Sequence, residues 1–220
     1  MIAPYYEQDG ITIYHGDCRE IAPELSADAV ITDPPYGMNW NTDHTRFKVG
    51  PNGDGPGRPS HQQHQRIRAD DEPFDPMPWM EYRACVIWGF HHFASRLPVG
   101  SVLVWLKRYD DGFGSFLSDA DLAWMKGGRG VYCRRDVSLQ GESRYRVHPT
   151  QKPEGIMGWC IGLATEPADT ILDPFMGSGT TLVAAKRLGR QAIGIEIDAR
   201  YCEIAARRLA QGALPFAAAG

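Results

Sequence analysis

Apolar residues fall into short runs separated by glycine, proline and charged turns, and the period of the pattern shifts between two and 3.6. Residues 11–15 (ITIYH) are β-branched and predict a strand; residues 28–32 (DAVIT) are a short apolar run ahead of two prolines and predict a buried one. Residues 84–89 and 101–107 read as buried strands flanking a short helix over 90–97, with weaker strands near 120–124 and 131–135. The C-terminal third is sharper. A helix over 153–165 has Pro153 in its first turn. The strand 170–173 follows, then a glycine turn and a helix over 177–189 closed by Gly189. After the strand 191–197, a helix over 198–212 has Asp198 as N-cap, Ile204 and Leu209 on its apolar face and Gly212 as its stop. Strands alternating with helices imply an α/β fold, a mostly parallel sheet joined by right-handed crossovers with helices on both faces.

Composition narrows this. A chain of 220 residues suits a single domain, 1–220. No apolar run reaches 18 residues and the N-terminus lacks a signal-peptide pattern, so no membrane attachment is expected. The five cysteines are scattered without a CxxC pair, which fits a reduced, cytoplasmic protein. The net charge of −4 argues against a general polyanion binder, but it conceals a pattern. Residues 1–40 hold seven acids and one base, residues 41–69 five bases and two acids, and residues 126–152 seven bases and two acids. An acidic body with two basic segments fits a polyanion contacted by loops, and equally fits ordinary solvated loops. The glycine-, proline- and histidine-rich stretch 38–72 reads as a long loop. His61/His64 and His91/His92 lack a third ligand at suitable spacing, so no metal site is expected. Trp88, Trp105 and Trp124 read as core strand residues, and Met176 as packing.

Two constellations carry chemistry. In the first, the strand ending at Asp173 runs through Pro174-Phe175-Met176 into Gly177-Ser178-Gly179-Thr180-Thr181, where a helix opens. Glycines let a ligand approach the backbone, and a helix N-terminus offers free N–H groups. The run is neither a phosphate P-loop nor GxGxxG, and by itself could be turn chemistry. The next strand ends in Glu196, about 20 residues on, where an acid can take ribose hydroxyls. Together they point to a nucleoside-containing cofactor. In the second constellation, Asp33-Pro34-Pro35-Tyr36 follows directly on the strand 28–32. The prolines stiffen the turn, the Pro34 carbonyl and the Asp33 carboxylate accept hydrogen bonds, and Tyr36 offers a ring face. Two acceptors and an aromatic platform suit a planar base bearing an exocyclic amine.

With these residues the chain resembles the S-adenosylmethionine-dependent DNA amino-methyltransferases. The tetrapeptide 33–36 precedes the cofactor motif, as in their circularly permuted beta group. The likeness runs over about 11–210 and includes Gly16-Asp17-Cys18, His148-Pro149-Thr150-Gln151-Lys152-Pro153 and Gly194-Ile195-Glu196-Ile197-Asp198. The resemblance implies a Rossmann-like methyltransferase fold with S-adenosylmethionine as cofactor. It implies that Asp33, Pro34, Pro35 and Tyr36 are catalytic, that Asp173, Phe175, Gly177, Ser178 and Gly179 line the methionine end of the cofactor site, and that Asp33 and Thr180 also bind the cofactor. Glu196 would bind the ribose hydroxyls, Asp17 and Cys18 would sit beside the adenine ring, Ile197 would also bind the cofactor, and Thr150, Gln151 and Lys152 would complete the pocket. Taken alone, Asp17 reads as a capping acid and Lys152 as a solvated surface lysine.

The resemblance further implies direct methyl transfer to the exocyclic amine of a base flipped out of double-stranded DNA. An Asp-led tetrapeptide leans towards adenine N6, with cytosine N4 as the alternative and a catalytically silent DNA-binding subunit as a further one. The candidate DNA contacts are the loops 38–72 and 108–150. Arg46, Lys48, Arg58, Arg66 and Arg68 lie in the first, and Arg129, Arg134, Arg135, Arg144 and Arg146 in the second. So small a footprint suggests a short target site or a homodimer that doubles the contact surface. The recognition sequence and the existence of a partner endonuclease stay open.

Overall fold

The computed structural model describes residues 2–38, 72–114, 118–138 and 151–211. Contacts divide the chain into two units, residues 1–34 with 75–220, and residues 35–74. Of the second unit, residues 35–38 and 72–74 are described; Gly37 there adopts φ 75°, and Phe74 is buried.

The strands of the first unit are β1 (Tyr6–Gln8), β2 (Ile11–His15), β3 (Ala29–Thr32), β4 (Ala84–Trp88), β5 (Ser101–Leu106), β6 (Ala120–Met125), β7 (Val131–Arg135), β8 (Thr170–Asp173) and β9 (Gln191–Glu196). The α-helices are α1 (Cys18–Ile21), α2 (Glu154–Ala164), α3 (Thr180–Arg187) and α4 (Ala199–Ala210). Among the described residues the strands form one mixed sheet in the order β1-β2-β9-β8-β3-β4-β6-β5-β7. The run β2-β9-β8-β3-β4 is parallel throughout, and β5 and β7 are parallel to each other. Antiparallel pairing enters only where β1 meets β2 and where β6 lies between β4 and β5.

Right-handed crossovers put connections that run in opposite directions along a parallel sheet on opposite faces. The links that move towards β9 carry α2 and α3; those that move towards β4 carry α1 and a 3-10 helix at Met77–Glu81. Ile11, Ile13, Ile31, Val86, Trp88, Leu103 and Ile171 pack with Ile156, Ile161, Leu182 and Ala205 of α2, α3 and α4 as one core. The alternate residues Val30, Cys85, Ile87, Leu172 and Ile195 are also buried. Strands buried on both faces read as unbroken apolar runs, which is why 28–32 and 84–88 lack alternation.

The differences from the expected elements have local causes. β1 has no apolar pattern of its own, but Asp9-Gly10, with φ 51° and 75°, makes the two-residue turn that joins it to β2. Residues 90–97 form 3-10 turns at Phe90–His92 and Ala94–Arg96 rather than a helix. Pro98 disfavours helical dihedrals at Leu97, which is extended, and so short a stretch cannot sustain an isolated helix. Within the segment 108–150, β6 and β7 fall where the weaker strands near 120–124 and 131–135 are expected. Asp198 caps α4 by accepting from the Arg200 backbone N–H, and Leu209 is buried on its apolar face while Ile204 is only half-buried. Gly212 lies outside the described residues. No helix among them is long and apolar enough to cross a membrane.

Gly194 on β9 lets the turn after β8 and the helix α3 close onto the sheet. A Cβ there would lie 2.5 Å from Met176 Sδ and 2.8 Å from Leu182 Cδ2. Gly194→Ala is therefore expected to destabilise the fold by about 1–3 kcal/mol through overpacking. A denaturant midpoint equal to wild type would contradict this packing.

Candidate active site

The parallel register of β3 on β8 pairs Ala29 with Ile171 and Val30 with Leu172, so both strands end at the same edge of the sheet. From β8 the chain turns towards β9, and from β3 it proceeds to β4. This is the topological switch point where an open α/β sheet parts to form a crevice. A cleft of about 370 Å³, counting space open to solvent, lies here. Asp33, Gln151 and Lys152 line it together with Asp173, Phe175, Met176, Gly177, Ser178, Thr180 and Thr181 of the turn and helix after β8, and with Met157 of α2.

Asp173 is the buried anchor of this edge. Its Oδ1 accepts from Thr32 Oγ1 at 2.7 Å and from the Phe175 backbone N–H at 3.2 Å, and its Oδ2 accepts from Thr181 Oγ1 at 2.5 Å. Burial pushes its carboxyl up to about 6, against the hydrogen bonds that favour the ion, with the Asp33 charge adding to the rise. Gly179 caps α3 in the left-handed region at φ 78°. Arg208 reaches from α4 to donate to Ser178 O at 2.5 Å and fixes the outer side of the turn. Phe175 is held by an edge-on contact with Trp79, ring centroids 5.7 Å apart.

Glu196 ends β9 beside this turn. Its Oε2 accepts from Gly177 N at 2.9 Å and its Oε1 from Asp198 N at 2.8 Å; burial raises its carboxyl against those bonds. At the neighbouring strand end, Gly16 N donates to Glu196 O at 2.9 Å, which sets Asp17 and Cys18 next to β9. Asp17 caps α1 and pairs with Arg19 at 2.6 Å, and that hydrogen bond holds its carboxyl below the usual carboxylate range. Cys18 is buried and its thiol is pushed up to about 12, so it is not a nucleophile.

A family model described as DNA methylase matches residues 86–207, more than half of the chain. The chain belongs to the N6/N4 DNA methylase family. Among curated proteins, it is 58% identical over 66 residues to the Type II methyltransferase M2.LlaDCHI of Lactococcus lactis subsp. cremoris. It is 56% identical over 62 residues to the Type II methyltransferase M2.DpnII of Streptococcus pneumoniae. These matches cover 30% and 28% of this chain, and the chain spans about a quarter of each relative's length, 24% and 23%. Among solved structures, an M1.HpyAVI–SAM complex matches at TM-score 0.57 and 25% identity, over 90% of this chain and 99% of that one. The cytosine-N4-specific PvuII DNA methyltransferase shares the fold at TM-score 0.58 and 15% identity, over 94% of this chain and 89% of that one.

Eight residues expected around the cofactor line this cleft: Asp33, Gln151, Lys152, Asp173, Phe175, Gly177, Ser178 and Thr180. Gly179, Glu196, Ile197, Asp17 and Cys18 lie outside its lining, and Thr150 lies outside the described residues. Pro34 is buried in the first unit, whereas Pro35 and Tyr36 open the second. Lys152 is not a solvated lysine. Its side chain is 6% exposed, and its Nζ donates to Asp33 Oδ2 at 2.7 Å and lies 5.4 Å from the centre of the Trp88 ring. Of the candidate DNA contacts, Arg129, Arg134 and Arg135 are exposed, and Arg135 is paired with Asp110. Arg46, Lys48, Arg58, Arg66, Arg68, Arg144 and Arg146 lie outside the described residues, as do His61 and His64. Among the described residues no three His, Cys, Asp or Glu side chains group as metal ligands. Lys152's pairing, Arg208 and Met157 carry no motif signature, because each acts across the fold rather than along the chain.

The raised Asp173 carboxyl has a signed consequence. An acid with a raised folded-state value contributes stability that is greatest below its unfolded value, 3.8, and is lost as pH rises through about 6. Asp173→Asn should flatten the fall in stability between those two values, although its amide oxygen replaces only one of the two acceptors that Thr32 and Thr181 use. Denaturant midpoints of wild type and variant over that interval read this, and parallel pH profiles would contradict it.

Proposed function

We propose that the chain transfers a methyl group from S-adenosylmethionine to the exocyclic N6 amine of an adenine flipped out of double-stranded DNA. What carries this reading is the junction of β3 and β8, which brings Asp33 and the turn 173–181 to one cleft although they are about 140 positions apart in the chain. The cleft's lining suits the cofactor: carboxylates (Asp33, Asp173) for a cationic ligand, the start of α3 for a carboxylate, and Phe175, Met157 and Met176 for its apolar parts. When bound, S-adenosylmethionine supplies an electrophilic methyl group.

The chain's own residues address the other reactant. An exocyclic amine is a poor nucleophile because its lone pair is delocalised into the ring. Accepting its hydrogens at the Asp33 carboxylate and the Pro34 carbonyl favours a pyramidal nitrogen with a localised pair, so positioning and electrostatics do most of the work. Flipping the base costs a few kcal/mol. Stacking on Tyr36 returns about 1–3 kcal/mol of that. The Asp-led tetrapeptide favours adenine over cytosine N4. The basic segments 38–72 and 108–150 hold the DNA, a homodimer doubles the contact surface, and the protein works in the cytoplasm.

Tritiated methyl transfer to unmethylated duplex DNA, with mass spectrometry of the digested nucleosides, tests this. N6-methyldeoxyadenosine is the expected product; N4-methyldeoxycytidine would overturn the base assignment, and no transfer the reading as a whole. Asp33→Ala should abolish transfer while cofactor binding stays measurable, and turnover near wild type would sink its role. DNA affinity should fall steeply between low and physiological salt, since phosphate contacts release counterions. A flat salt response would remove the basic segments from DNA binding.

A further inference from the structure

Four charged side chains of alternating sign run in a row from the cleft: Asp33, Lys152, Asp121 and Lys107. Lys152 Nζ lies 2.7 Å from Asp33 Oδ2 and 3.7 Å from Asp121 Oδ2. Lys107 Nζ lies 2.7 Å from Asp121 Oδ1. Asp121 belongs to none of the sequence motifs. It arrives because β6 runs antiparallel to β4, pairing Ala123 with Trp88, so that the start of β6 lies at the edge where the parallel strands end. The Trp88 indole beneath Lys152 and the residue's 6% exposure leave the ammonium little access to water.

We propose that Asp121 is a positioning residue for methyl transfer, holding the Lys152 ammonium between two carboxylates so that Asp33 keeps capacity to accept the target amine. The proposal rests on the function given above. A carboxylate offers about four lone-pair sites, and an ammonium three donors. With Asp121 in place the ammonium divides its attraction between two carboxylates, hydrogen-bonding to Asp33 and pairing with Asp121 through charge alone, and the four charges sum to zero. Without it, the whole pull of a nearly dry ammonium falls on Asp33. The amine must then compete with a tighter ion pair. Burial pushes the Asp121 carboxyl up, but Lys152, Lys107 and His91 outweigh it and hold it below the usual range, which keeps it ionised at neutral pH.

The test uses the full chain in the methyl-transfer assay, read as single-turnover rates and KM for S-adenosylmethionine. Asp121→Asn should lower the rate about 10- to 30-fold with KM for the cofactor within about twofold. Asp121→Glu should recover to within about threefold of wild type. In a Lys152→Met background, adding Asp121→Asn should cost less than about twofold more, because Asp121 acts only through the lysine. Asp121→Ser is the second charge-removing variant should the Asn protein not fold. An Asp121→Asn rate equal to wild type, a loss that multiplies independently of Lys152→Met, or a loss appearing wholly in KM would overturn the proposal while leaving the methyltransferase reading intact. A wild-type chain that transfers nothing overturns both.

Discussion

The buried Asp173 carboxylate is the constraint on which the rest of the site depends. It sits at the end of β8 and takes hydrogen bonds from Thr32 at the end of β3 and from Thr181 in the first turn of α3. Two segments 141 positions apart are thereby tied at one point, immediately before Asp33 on one side and the glycine turn on the other. A carboxylate is suited to this because it can accept several donors at once, whereas a single amide or hydroxyl would leave a buried group unsatisfied. The cost is desolvation, visible in the raised carboxyl. The site therefore carries an energetic penalty for its own geometry, which is common where position matters more than stability.

The same trade recurs one layer out. Asp33 and Lys152 form an ion pair that is largely withdrawn from water. Buried pairs of this kind contribute little net stability, because desolvation offsets most of their attraction. What such a pair supplies is direction. The lysine fixes the carboxylate, Trp88 supports the lysine, and Trp88, at the end of β4, is itself wholly buried in the core shared with α2. Rigidity passes from the sheet to the reacting edge through contacts each of which has few alternatives. On the other side, Arg208 and the Trp79 ring hold the turn 175–180 from outside, so the cleft is braced from both walls.

The mixed sheet explains why the cleft has this particular set of charges. Five parallel strands bring their carboxyl ends together, and with them Asp33, Asp173 and Glu196. Parallel strands alone would crowd one edge with acids. The antiparallel β6 delivers its beginning to that edge, and the neighbouring β5 delivers Lys107 at its end, so the added pair brings in one acid and one base. Lys152, just ahead of α2, supplies the second base. The alternating row is a consequence of strand direction.

The amino-acid sequence by itself determined what is coded over a few neighbouring residues. Pro34-Pro35 stops a strand, Gly177-Ser178-Gly179 turns into a helix, Asp198 caps one, and unbroken apolar runs at 28–32 and 84–88 mark strands covered on both sides. These depend on backbone dihedrals and local hydrogen bonding, so they can be read in order along the chain, and strands 131–135 and 170–173 match residue for residue. Only the tertiary structure decided which charges meet. Read in isolation, Lys152 is a surface lysine and Asp121 an unremarked acid in a weak strand. Their partners lie 119 and 31 positions away, brought close by the order and direction of strands rather than by any local pattern. Charge pairing is a property of distance and dielectric, and neither exists until the chain has folded.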